Sequence, residues 1–131
     1  MRKLYILLFS FFISYMSAQL TVSPSSLAVN ISENSEHLFN VTITNTSGSD
    51  VTTWWKLKKA AGFPTAWSTT TCDLFTCYTP NFDICPKNKG NVIPANESKT
   101  FQVHFYPNGV TGSSNMNLQL FSDKDLTNMI A

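Results

Sequence analysis

Charge is what this chain has least of. Nine basic and eight acidic residues make up 13% of its 131 positions and leave a formal net charge of +1, where globular chains ordinarily carry about a quarter. Such a balance offers no electrostatic footprint for nucleic acid. After the amino-terminal apolar run no stretch is long enough to span a bilayer. Heptads, internal repeats and helical periodicity are missing, and no helix longer than a single turn is expected. There is no G-x-S-x-G elbow, and the scattered Ser, His and Asp residues form no catalytic pattern. Serine, threonine and asparagine stand where charges would be, a composition that favours strands and turns over helices.

The first residues point to export. Arg2 and Lys3 precede an apolar run, Leu4 to Met16, and Ser17-Ala18-Gln19 supplies small residues for cleavage. About 13 residues rise only about 20 Å as a helix, short of the roughly 30 Å hydrocarbon core. A signal peptide over 1–18 is therefore expected, followed by one domain over 19–131. The expected location is outside the cell or on its surface, with the periplasm also open.

What is there in quantity is two-residue alternation. In KTFQVHFY, Phe101, Val103 and Phe105 fall on one side and Thr100, Gln102, His104 and Tyr106 on the other, the pattern of a half-buried strand. We place this strand at the centre. Phe39, Val41 and Ile43 alternate within Glu36 to Thr44, Val51, Trp55 and Leu57 within Val51 to Lys58, and Met116, Leu118 and Leu120 within Ser114 to Ser122. Trp54 then lies on the opposite face from Trp55 and needs cover. Leu20 to Ser23 and Leu27 to Ile31 read as one strand broken at Pro24, at an edge or switching sheets. Ala66 to Thr71 and Asn91 to Ile93 complete the set. Asn45 to Asp50 and Pro94 to Glu97 are turns by composition. Six or seven short strands at intervals of roughly eight to twelve residues predict an all-β sandwich or barrel. After Ser122 little chain remains, so a last strand is short or missing and the carboxyl-terminal edge is open to pairing with a neighbour.

Between Lys59 and Lys89 the alternation fades, and a connection of that length is tied down or functional. It holds all three cysteines. Cys72 and Cys77 are the preferred disulfide, because a short turn brings their Cα atoms within reach. Closing a six-residue ring stabilises by about 2 kcal/mol on the chain-entropy estimate. Cys85 is then buried and reduced, or linked to another chain. A small metal-binding or redox protein built on Cys72, Cys77 and Cys85 is the alternative from another class. His37, His104 and Met116 provide residue types for copper. They lack the spacing, since Cys85 and His104 are too far apart for one ligand loop, and both histidines read as surface residues. Asp123 and Asp125 could face one calcium ion but have no evident third ligand. No cofactor is expected. Asn30, Asn40, Asn45 and Asn96 open N-x-Ser/Thr sequons.

Four segments, SPSS, NVTITNTSGSDVTTWWKL, CDLFTCY and ANESKTFQVHFYPNGVTG, resemble the immunoglobulin-like β-sandwich domains of secreted and cell-surface proteins of Bacteroidetes-type bacteria. The resemblance covers about residues 20–123. It implies a noncatalytic structural or interaction module with a protein or glycan partner and brings no catalytic residues. Aromatic side chains in excess of one core face, Trp54, Trp67, Phe75, Tyr78, Phe82 and Tyr106, are the candidate binding surface. A carbohydrate-binding accessory role through Trp54, Trp67 and Tyr78 is a further alternative. The competing reading packs these rings as a satellite core beneath the cysteine segment.

Overall fold

A computed structural model describes residues 19–32 and 34–131; the expected signal peptide over 1–18 lies outside them. The described residues form an all-β sandwich with no helix. Its strands are β1 (Leu20–Ser23), β2 (Leu27–Ile31), β3 (His37–Asn45), β4 (Val51–Lys59), β5 (Ser68–Cys72), β6 (Asn91–Ile93), β7 (Ser98–Tyr106) and β8 (Gly112–Phe121). Two antiparallel sheets result, β1-β3-β7-β5 and β2-β8-β4-β6. The odd-numbered strands make one sheet and the even-numbered strands the other, so every connection crosses the sandwich and no two consecutive strands pair.

The expected central strand is β7, flanked by β3 and β5. Phe101, Val103 and Phe105 are fully buried, as are Val41 and Ile43 of β3, Trp55 of β4, and Met116 and Leu120 of β8. These rows meet between the sheets, each large side chain contributing about 1.5–3 kcal/mol by leaving water. The broken first strand supplies one edge strand to each sheet, which raises the count to eight. The switch falls at Pro24, which has no N–H to continue the ladder. Asn45 closes β3 and organises the turn after it. Its Nδ2 donates to the Ser49 and Ile93 carbonyls at 2.8 and 2.9 Å, and its Oδ1 accepts from the Ser47 amide at 2.9 Å.

Among the described residues β8 is the last strand. Beyond it, Met129 bridges Phe121, and the Leu120 N–H and C=O bond Ala131 and Ile130, each at 2.8 Å. β2 pairs with β8 only as far as Met116, and the tail lies along the stretch that β2 leaves bare.

Candidate functional site

The segment after β5 is built from its cysteines outward. Cys72 and Cys77 form a disulfide with Cα atoms 3.8 Å apart. Inside that ring, Asp73 turns its carboxylate back into the protein. One oxygen, Oδ1, accepts the amides of Phe75 and Thr76 at 2.9 and 3.3 Å, the side-chain-to-backbone turn that aspartate favours. The other, Oδ2, accepts from Trp55 Nε1 at 2.9 Å, Tyr78 Oη at 2.9 Å and Asn91 Nδ2 at 3.0 Å. Burial alone would raise this carboxyl, but the donors from Trp55, Asn91, Phe75 and Tyr78 outweigh it and hold it below its ordinary value. A carboxylate that meets so many donors is an anchor. Asp73 joins the loop to the core tryptophan and to β6 at once.

The chain then runs along the free side of β5, with Tyr78 N donating to Thr71 O at 2.9 Å and Asn81 N to Thr69 O at 2.7 Å. It next crosses to the other sheet and lines β4. Leu57 N donates to Asp83 O at 2.8 Å, and Cys85 N donates to Trp55 O at 2.9 Å. The long connection is therefore a seam that closes the gap between the two sheets, as Pro24 and the β1–β2 switch do at the other side. Lys87 to Gly90 continue over the outer face of β4. Trp54 Nε1 donates to Lys87 O at 3.1 Å, and a Cβ placed on Gly90 would meet the Trp54 ring at 2.7 Å. This is the cover that Trp54 required.

The structure divides the six candidate aromatics. Phe75, Tyr78 and Phe82 share the loop. Phe75 is 54% exposed and Phe82 38%; the Phe82 ring stacks on Tyr78 at 5.1 Å, and Tyr78 meets Trp55 edge-on at 5.4 Å. Leu74 and Ile84 add exposed aliphatic side chains to the same segment. Trp54 lies under the loop's far end. Tyr106 stands on the outer face of the other sheet, near Glu36, whose carboxyl is held low chiefly by its hydrogen bond with His104. Trp67 overturns its expectation. It is 2% exposed, packed edge-on against Phe105 at 4.8 Å, with Nε1 donating to Val110 O at 2.7 Å, so it cannot anchor a ligand.

Cys85 is reduced and buried. Its Sγ lies 3.2 Å from Lys89 O, and burial, with the Asp73 charge adding, pushes the thiol up to about 11. A thiol held protonated is a poor nucleophile and a poor metal ligand. The described residues hold no cluster of three or more His, Cys, Asp or Glu side chains fit for a metal ion. Asp123 spends its carboxylate on the amides of Asp125, Thr127 and Asn128, and Asp125 pairs with Lys87 at 2.6 Å. His37 is half-buried. Its ring faces Phe105 at 6.2 Å, and its Nε2 is buried without a hydrogen-bond partner. Of the four sequon asparagines, Asn45 is buried with its amide engaged, while Asn30, Asn40 and Asn96 are exposed.

Sequence reading missed Asp73 as the hub and missed the part played by Asn91. A carboxylate directly after the first cysteine of a short ring is the one available signal for the former; nothing local marks the latter. No family model, curated protein or solved structure matches this chain.

Proposed function

We propose that the chain is an exported, noncatalytic interaction module with an immunoglobulin-like sandwich, working at a bacterial cell surface. The observation that carries this reading is the seam loop. A disulfide and the Asp73 hub hold it, and it turns Leu74, Phe75, Phe82 and Ile84 toward water. Side chains already fixed in the free protein lose little conformational freedom when a partner covers them, which favours aromatic anchors on braced loops. The mixture of aliphatic and aromatic groups suits a protein partner better than a sugar, and the burial of Trp67 removes one ring of the carbohydrate alternative. The disulfide supports an extracytoplasmic location.

The test is binding of the labelled mature domain to the surface of cells of the producing organism. Saturable binding is expected, weakened at least tenfold in Phe75→Ser/Phe82→Ser, with circular dichroism reporting an unchanged fold. Equal binding by the double variant would remove the loop from the function. No saturable binding by the wild type would remove the reading itself.

A further inference from the structure

Basic residues are gathered on one side of the molecule. Apart from Arg2 and Lys3 the chain has seven, all lysine, and six of them, Lys56, Lys58, Lys59, Lys87, Lys89 and Lys124, belong to β4, the loop that lines it or the turn after β8. Lys56 and Lys58 alternate with the buried Trp55 and Leu57, so they stand about 7 Å apart on the outer face of their sheet. No strand of that sheet carries an acidic residue. Lys59 pairs with Asp83 and Lys87 with Asp125, whereas Lys56, Lys58 and Lys89 form no ion pair among the described residues. Apolar groups are set between these cations. Ile84, 48% exposed, forms an antiparallel bridge with Lys56, which puts the two side chains on the same face. The Lys89 ammonium lies 5.2 Å from the centroid of the Phe75 ring, within reach of the ring's negative face.

We infer that this face docks an acidic protein segment: apolar side chains of the partner cover Phe75 and Ile84, and its carboxylates meet Lys56, Lys58 and Lys89. The inference rests on the seam-loop reading above and adds the chemistry of the partner. Lys56 and Lys58 lie closer together than the Debye length, about 8 Å at physiological salt, so an approaching partner meets them as one positive field. Cations with no acidic neighbour of their own select carboxylates and speed encounter more than they deepen affinity. The interleaved Phe75 and Ile84 supply the apolar contact that holds the complex together once formed. A uniformly charged polyanion fits less well. Residues 19–131 hold eight acidic residues against seven lysines, so attraction is confined to this face. A nucleic acid needs a longer cationic track, and an acidic glycan brings no alkyl side chain to cover Ile84.

The experiment is binding of the labelled mature domain to cells of the producing organism, with charge variants, a salt series and protease-treated cells. Binding should weaken at least tenfold in Lys58→Glu/Lys89→Glu and survive in Lys58→Arg/Lys89→Arg. Lys99→Glu, on the opposite sheet, controls for charge reversal as such and should bind as the wild type does, with circular dichroism reporting the fold of each variant. Raising NaCl from about 50 mM to about 500 mM should reproduce most of the loss, since salt at that strength screens exposed charges. Wild-type binding that ignores both salt and charge reversal overturns the inference and leaves the loop reading standing. Binding that persists on protease-treated cells overturns the protein partner in favour of an acidic glycan or lipid. If the wild type shows no saturable binding, the loop reading falls and this inference falls with it.

Discussion

Asp73→Ala should destabilise this domain far more than a loop substitution ordinarily does. The change strips the acceptor from five donors. The amides of Phe75 and Thr76 are exposed and recover water, so they contribute little. Tyr78 is half-buried and recovers part of its bond. Trp55 is fully buried, and its orphaned N–H costs about 1–3 kcal/mol. Asn91 is buried as well but keeps the Lys89 carbonyl at 3.2 Å. Together these give about 2–4 kcal/mol, or about 8–16 °C in Tm at about 4 °C per kcal/mol for a domain this size. Urea denaturation followed by tryptophan fluorescence and far-ultraviolet circular dichroism measures it directly. Asp125→Ala, which breaks an exposed pair with Lys87, is the control and should cost less than about 1 kcal/mol. Because folding holds the Asp73 carboxyl below its ordinary value, its contribution is complete above the unfolded value near 3.9 and is lost as pH falls through the folded one. The loss of stability below about pH 4 should therefore be shallower in Asp73→Asn. If Asp73→Ala proves no worse than Asp125→Ala, the hub is incidental and the account of the loop fails.

Three further outcomes follow from the same packing. Cys72→Ser/Cys77→Ser should lower the unfolding free energy by about 2 kcal/mol in urea titrations and speed proteolysis between residues 73 and 84; equal cleavage rates would show that Asp73 holds the loop alone. Gly90→Ala forces a methyl into Thr52 and the Trp54 ring, both 2.7 Å away, and should cost about 1–3 kcal/mol by denaturant unfolding while altering the tryptophan emission. Thr71→Val removes a buried hydroxyl that has no partner and should raise stability by about 1 kcal/mol in the same titration; a loss would mean that the hydroxyl is satisfied in solution.

The alternation that defines β3, β4, β7 and β8 was legible because an apolar row must repeat every second residue to reach one core. The sheet switch at Pro24 was legible for an equally local reason, a missing donor. Trp67 was not. In Ser68-Thr69-Thr70-Thr71 both faces carry nearly the same residue type, so nothing indicated that Thr69 and Thr71, and hence Trp67, point inward. The seam was invisible too, since Asp73, Asn81 and Asp83 act through partners distant in sequence: Trp55 and Asn91 for the first, Thr69 and Leu57 for the others. Assignment of each strand to its sheet lay beyond reach, because the apolar rows of both sheets look alike.

That assignment carries a consequence for how the molecule comes into being. A polypeptide appears amino end first, and among the described residues no two consecutive strands of this one pair with each other. Ser98, where β7 begins, follows Asn45, the end of β3, by 53 residues; β2 must wait for β8, and β4 for β6 and then β8. Long waits of this kind slow assembly, since distant ends have to meet before any contact rewards them. Until the final third has emerged, Val41, Ile43, Trp55 and Leu57 stand bare, and the nascent chain depends on whatever keeps such surfaces apart.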